Sequence, residues 1–144
     1  MNAELAIRWA ERGTAAILEQ LRRNAADDAR PIGVPDAAVI ADAVIHGIDI
    51  RRPLGRSRPI SRPAFVTLAE FFLGLRWPLS VSVGGSARRR VHGLRLVAPD
   101  VDWSHGTGPE VRTSPEVLLL VLAGRPVDAA ELTGTGAVEL SHRL

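Results

Sequence analysis

The stretch that decides the fold is PDAAVIADAVIHGIDIRRPLG, residues 35–55. A proline followed by Asp36 is typical of a helix start, because an aspartate side chain can accept hydrogen bonds from the free amides of the first turn. Pro53 and Gly55 are stop signals at the other end. The residues between these signals are almost all apolar, so the pattern predicts a helix that is buried on most sides.

Three polar side chains interrupt this helix, Asp42, His46 and Asp49. At 3.6 residues per turn they fall within an arc of about 60° and form one polar edge, which faces either water or an internal polar pocket. Side chains four apart lie roughly 5–6 Å from each other between Cβ atoms, so Asp42 and His46 could converge on one metal ion. That site needs an enclosed pocket and at least one further ligand. The alternative is a solvent-facing edge with a local Asp–His contact.

Two strings, DAVIHGIDIRRPLG at 42–55 and GLRLVAPDVDWSHGTGPEVR at 93–112, resemble the mycothiol-dependent maleylpyruvate isomerase family. The resemblance covers the chain from about Ala38 onward. It implies a DinB-like helical bundle that carries a metal site, followed by a small α+β domain. We therefore expect an α+β protein with a partial bundle at residues 1–80 and the small domain at 88–144.

The resemblance also implies roles for individual residues. His46 stands at the position of a metal-binding histidine, Asp42 at a position where the family has glutamate, and Asp49 becomes a second-shell partner that orients a ligand. The family's third ligand is a histidine on an earlier helix, and no histidine precedes His46 in this sequence. We expect the chain to lack the family's first helices, and either a homodimer partner or one of His92 and His105 to complete the site.

The activity implied by the resemblance is thiol-dependent cis–trans isomerisation or transfer, in an actinobacterial-type thiol metabolism. The cofactors are a divalent metal, with zinc favoured by the imidazole and carboxylate ligands, and mycothiol as the thiol cosubstrate. The thiolate adds to a conjugated cis double bond of a small organic acid, permits rotation and leaves. The catalytic residues stay open, as does the question of whether the chain is an enzyme. The alternative is a non-catalytic, metal-free binding or structural relative.

Composition limits the other classes of function. The chain has 144 residues, a formal charge of +2 and no cysteine, so it has no disulfide and no protein thiol for chemistry. The longest apolar run, 117–123, is too short to span a bilayer, and the first residues lack the apolar core of a signal peptide. We expect a cytoplasmic protein with no membrane partner. The small charge excess and the lack of a binding motif argue against nucleic acid, although Arg88, Arg89 and Arg90 form a basic run.

The remaining elements follow from caps, periodicity and breakers. In chain order the sequence predicts a helix at 2–25, a loop at 24–34, a helix from Ser61 through Trp77 that carries all three phenylalanines on a core face, a linker at 78–90, strands and turns over 94–112, a helix from Ser114 to Gly124, a short helix within 127–133, and a last strand at 137–140.

Two further polar groups are candidates for chemistry. Arg95 and Arg112 could bind a substrate carboxylate or another anion, and the alternative for both is a surface salt bridge. Asp100 and Asp102 would share one face of an extended strand, with His105 close by. The alternative for these aspartates is a turn in which they bind their own backbone.

Overall fold

The structure is a computed structural model that describes residues 2–27 and 33–144. It divides into two compact units, Met1–Val34 and Pro35–Leu144. None of the helices in the described part of the chain is long and apolar enough to cross a membrane.

The first unit contains two helices, α1 at Asn2–Ala10 and α2 at Gly13–Ala26. The prediction of one continuous helix was wrong, because Gly13 has a φ of +78° and begins a new helix there. Left-handed backbone angles interrupt a right-handed helix, and glycine adopts them without a Cβ clash. None of the described side chains of α2 is buried. The predicted loop at 24–34 lies partly outside the described residues.

The second unit begins with two long helices, α3 at Asp36–Arg51 and α4 at Arg62–Gly74. Gly55 has a φ of +64° and closes a short 3₁₀ turn after α3, which confirms it as a stop signal. Later elements are α5 at Ala87–Arg90, β1 at Arg95–Ala98, β2 at Trp103–His105, β3 at Glu110–Arg112, α6 at Pro115–Leu122 and α7 at Ala137–Ser141, with 3₁₀ turns at Leu79–Val83, Pro99–Val101 and Ala129–Glu131.

The three strands form one small sheet in the order β2–β1–β3. Strand β1 pairs antiparallel with β2, where Val97 lies opposite Ser104, and parallel with β3, where Leu96 lies opposite Val111. The side chains of Leu96 and Val111 are fully buried beneath the helices. The sheet and the helices confirm the predicted α+β class, whereas a DinB-like bundle followed by a separate domain stays a prediction.

A single hydrophobic core joins the helices to the sheet in the second unit. Helix α4 packs against both α3 and α6. The ring of Phe65 from α4 meets the ring of Trp103 from β2 edge-on, with centroids 5.2 Å apart. The predicted division into residues 1–80 and 88–144 therefore falls inside a shared core, and the compact units of the structure divide the chain at a different place.

The segment predicted as a linker, 78–90, is built into this core. Ser86 accepts a hydrogen bond from the backbone of Arg89 and begins α5. The guanidinium of Arg90 then donates to the carbonyl oxygen of Val121 at 3.1 Å and to that of Gly84 at 2.6 Å. Burial lowers the pKa of Arg90. This arginine ties the end of α6 to α5, so the linker prediction was wrong.

Two other predictions of local structure were wrong. Residues 137–140 form helix α7 instead of a strand. The backbone at Gly136 lies close to the side chains of Leu94 and Val111, and a Cβ there would be only 3.0 Å from each. Helix α7 begins at the next residue. Helix α4 ends at Gly74, so Trp77 is not part of its core face and is 81 % exposed.

Candidate functional site

The candidate site lies along the polar edge of α3. The buried side chains of this helix are Ala41, Ile45 and Ile48, which follow the i, i+4, i+7 spacing of one helix face. Residues beside this face, such as Val44, are half-buried, and farther around the helix Ile40 and Ile50 are 42 % and 67 % exposed. The prediction of a helix buried on most sides was therefore wrong, since neighbours cover only one face.

The polar edge faces water. The side chain of His46 is 59 % exposed and that of Asp42 is 76 % exposed. Asp49 is more covered, with 35 % of its side chain exposed. Of the two surroundings that the sequence left open, water and an internal polar pocket, the structure shows water, so the described residues do not form at this edge the enclosed pocket that was expected around a metal site.

The imidazole of His46 lies between two carboxylates of its own helix. Its Nε2 atom is 3.3 Å from Oδ1 of Asp42, and its Nδ1 atom is 3.4 Å from Oδ2 of Asp49. The same Oδ2 atom accepts a hydrogen bond from Nη2 of Arg125 at 3.1 Å. The result is a chain of polar contacts from Asp42 to Arg125, in which Asp49 bridges the histidine and an arginine from the loop after α6.

The geometry at Asp42 and His46 fits two ligands of one metal ion. In a tetrahedral zinc site, ligand atoms about 2.05 Å and 2.1 Å from the ion are about 3.4 Å apart. The observed separation between Nε2 and Oδ1 is 3.3 Å. The same separation also suits a direct ion pair, so this distance is compatible with both alternatives.

The ligand set is incomplete in the described residues. Within residues 2–27 and 33–144, no three His, Asp or Glu side chains are placed so that they could hold a metal ion. His105 instead stacks on the ring of Trp103, with centroids 5.9 Å apart, and the backbone oxygen of His92 binds Arg143. Among the described residues, neither histidine is placed with Asp42 and His46 in a group that could hold a metal ion.

The two arginines predicted to bind an anion both lie at one glutamate. Nη2 of Arg112 is 2.8 Å from Oε1 of Glu110, and Nε of Arg95 is 3.9 Å from Oε2 of the same residue. All three side chains are at least one-third exposed. The structure thus shows the surface salt bridges that were the alternative, and anion binding by this pair stays a prediction.

The aspartates after β1 do not lie on an extended strand. Asp100 belongs to a 3₁₀ turn, and Asp102 has a left-handed φ of +47°. The carbonyl oxygens of Val101 and Asp102 accept hydrogen bonds from Arg62. The prediction that both carboxylates share one strand face was wrong, because the chain reverses between β1 and β2.

Sequence reasoning missed the arginines that tie α3 and its end to the rest of the unit. Arg125 contacts Asp49 across 76 positions of sequence, and Arg52 pairs with Glu131 across 79. No local spacing rule connects residues so far apart. Opposite charge was the only signal in the sequence, and it does not identify the pairs, because any of the 16 acidic residues could pair with either arginine.

Comparison of the chain with protein-family models, with curated proteins and with solved structures yields no match. Membership of the isomerase family therefore stays a prediction that rests on the two sequence strings.

Proposed function

We propose that this chain is a metal-binding relative of the mycothiol-dependent maleylpyruvate isomerases, with half of a divalent-metal site on the exposed edge of α3. The observation that carries this proposal is the position of His46, whose Nε2 faces Asp42 and whose Nδ1 faces Asp49. Asp42 and His46 are the proposed ligands. Asp49 is the proposed positioning residue.

The contacts on the far side of the imidazole support this assignment. A histidine that binds a metal through one nitrogen commonly donates its other ring N–H to a carboxylate, which fixes the tautomer and the ring orientation. Asp49 is placed for that role at Nδ1, and Arg125 holds the same carboxylate oxygen at 3.1 Å. The metal would then lie on the open side of His46, where Asp42 is also exposed.

The proposed activity is the thiol-dependent isomerisation of a small unsaturated organic acid in the cytoplasm. A divalent metal such as zinc favours the thiolate form of a bound thiol at neutral pH, and mycothiol is the proposed thiol. Asp42 and His46 would hold the ion, and Asp49 would keep the imidazole in place. The ligands that complete the coordination come from outside the described residues of this chain.

A second candidate function is a metal-free binding or structural protein, and the exposure of the edge favours it. Asp42 and His46 are more than half exposed, and without a metal their contact is a polar contact on the surface, which contributes little to stability. The bridge from Asp49 to Arg125 then serves only to join α3 to the loop after α6. Exposed apolar side chains such as Ile50 on α3 are consistent with a surface that binds another molecule.

Zinc titration of the purified chain separates the two candidates. We expect wild type to bind zinc stoichiometrically at the site that contains Asp42 and His46. We expect His46→Ala and Asp42→Ala to lose this binding. His142→Ala is the matched control, since it removes an exposed imidazole at the end of α7 and leaves α3 intact. Zinc binding that is equal in wild type and His46→Ala contradicts the metal site and supports the metal-free candidate.

The activity has its own test. Wild type reconstituted with zinc is incubated with maleylpyruvate, with and without mycothiol, and the trans isomer is followed by its absorbance. We expect isomerisation only with mycothiol and zinc together, and none in His46→Ala. Stoichiometric zinc binding without isomerisation would retain the metal site and reject the enzymatic part of the proposal.

A further inference from the structure

An exposed apolar turn follows α4 and has no role in the proposed metal site. Trp77 is 81 % exposed, Leu79 67 % and Val81 65 %. The turn is nevertheless anchored, because Ser80 is buried and its carbonyl oxygen accepts a hydrogen bond from Gly85 at 2.8 Å. Anchored apolar side chains that point outward are typical of a contact surface, and a tryptophan carries the largest apolar area of any side chain.

Arginines predominate in the sequence around this turn, and one acidic side chain, Glu139, lies nearby, where it pairs with Arg143, whose guanidinium donates to the carbonyl oxygen of Arg90. Residues 71–99 hold five of the chain's 18 arginines and none of its 16 acidic residues. Arg76, Arg88 and Arg89 are exposed, and in the part of the chain that the structure describes they take part in no ion pair. The surface is therefore apolar at its tip and positively charged beside it.

The structure holds these two features together. The turn at Leu79–Val83 ends at Gly84, and α5 begins three residues later. Nη2 of Arg90 donates to the carbonyl oxygen of Gly84 at 2.6 Å, which fixes the end of α5 against the end of the turn. We call Arg76, Trp77, Leu79, Val81, Arg88 and Arg89 the Trp77 surface.

An anionic lipid bilayer matches both features of the Trp77 surface. Tryptophan prefers the interface between headgroups and acyl chains, where aliphatic side chains can also be buried. Arginines beside them gain from the negative potential of anionic lipids. A nucleic acid matches less of the surface, since its phosphates would engage the arginines and one base would stack on Trp77, but exposed valine and leucine side chains have no partner there.

We propose that the Trp77 surface docks this protein on membranes that contain anionic lipid. Trp77 and Val81 enter the headgroup region, and Arg76, Arg88 and Arg89 contact the lipid phosphates. The prediction of no membrane partner came from the lack of a long apolar run, and a protein that binds at the surface needs none. This docking is independent of the metal site on α3.

Co-sedimentation with vesicles tests the proposal. The vesicles are made of phosphatidylcholine alone or of phosphatidylcholine mixed with phosphatidylglycerol, at low and at physiological salt. We expect binding to the mixed vesicles that weakens as salt rises. Trp77→Ser should weaken this binding about tenfold or more, because it removes the largest buried apolar area. Replacing Arg88 and Arg89 together by glutamine should weaken it about 25-fold, at about fivefold per arginine near an anionic surface.

Matched controls keep the result specific to this surface. Val138→Ser removes an apolar side chain of α7 that is 68 % exposed, and the double replacement of Arg56 and Arg58 by glutamine makes the same change of charge elsewhere. We expect neither control to change vesicle binding more than twofold. Trp77 is largely exposed, so its replacement leaves the fold intact, and circular dichroism of each variant verifies this.

Fluorescence adds a measurement that reports on insertion itself. We expect a blue shift of tryptophan emission on mixed vesicles, which Trp77→Phe abolishes while it retains most of the binding. No binding to the mixed vesicles at low salt would overturn the proposal. Binding that depends on the arginines but not on Trp77 would contradict the insertion of Trp77 into the bilayer. A single-stranded oligonucleotide that binds tightly and displaces the vesicles would contradict lipid as the partner of this surface.

Discussion

Helices α3 and α6 are both rich in apolar residues, α6 more so than α3, and the structure places them in different surroundings. The segment PEVLLLVL of α6 is buried on all sides except at Glu116. The segment DAAVIADAVIHGIDIR of α3 is buried on one face only, with Ile50 and the His46 edge exposed. Helix α6 packs against α3, α4 and α5, whereas α3 packs against α4, α6 and the short 3₁₀ turn that follows it.

This difference has two sources: α6 is the more apolar helix, and the elements that lie around the two helices differ. The amount of cover depends on which elements lie around the helix, and those elements are distant in sequence. A helix with an uncovered face can serve a binding function, whereas a helix that is covered on all sides serves stability. The mutations below compare the two helices, beginning with the largest expected effect.

Truncation of a leucine in α6 should have the largest effect. Leu118→Ala removes a side chain that is fully buried, and we expect the free energy of unfolding to fall by about 3 kcal/mol because a cavity is left behind. Ile50→Ala on the outer face of α3 should change it by no more than about 0.5 kcal/mol. Urea unfolding of both variants measures this comparison, and equal losses would show that the outer face of α3 is covered in solution.

The second effect concerns the C-terminal end of α6. Arg90→Met keeps much of the side-chain volume but removes the hydrogen bonds to the carbonyl oxygens of Val121 and Gly84. We expect a loss of about 2 kcal/mol in the free energy of unfolding, since a charged donor is lost from a part-buried acceptor at Val121 and from an exposed one at Gly84. Arg89→Met, next to it and exposed, is the control and should have little effect. If Arg90→Met leaves the free energy of unfolding unchanged, water must satisfy the two carbonyl oxygens in place of the guanidinium.

The parts of the fold that could be predicted from the sequence depend on local signals. Ser114 and Gly124 mark the ends of α6, and the structure confirms both, with the Ser114 hydroxyl at the first turn and a φ of +70° at Gly124. The strand and turn pattern over 94–112 is confirmed as well. Caps, glycine angles and alternation act over a few residues, so one sequence suffices to read them.

The parts that could not be predicted depend on contacts between distant residues. The exposure of Trp77 depends on where α4 ends relative to its neighbours, and the role of Arg90 depends on the approach of α6. For the candidate site, the spacing of Asp42 and His46 predicted their contact, but the environment of the edge and the partner Arg125 required the tertiary structure. Sequence spacing determines which side chains are neighbours on the same helix, but it does not determine which residues of other elements they contact.

A smaller effect is expected at the N-terminal end of α6. The hydroxyl of Ser114 accepts a hydrogen bond from the backbone of Val117 at 3.3 Å. Ser114→Ala should therefore lower the free energy of unfolding by about 1 kcal/mol. Ser61 occupies the corresponding position before α4 but its side chain makes no cap hydrogen bond, so Ser61→Ala is the matched control and should cost only a few tenths as a rough estimate. Equal losses in thermal unfolding would contradict the difference between the two caps.

The smallest effect on stability is expected on the edge of α3, where Asp49→Asn removes one charge and keeps the shape of the side chain. Its ion pair with Arg125 and its polar contact with His46 are partly exposed, so the free energy of unfolding should fall by no more than about 1 kcal/mol. If Asp49 orients His46 toward a metal, the same variant should weaken zinc binding by about tenfold to 100-fold. Urea unfolding and zinc titration of one preparation measure both. A large loss of stability with unchanged zinc affinity would mean that Asp49 stabilises the fold, as the residues of α6 do, and does not orient His46. A positioning residue changes the affinity of the ligand that it orients, whereas a structural residue changes the free energy of unfolding.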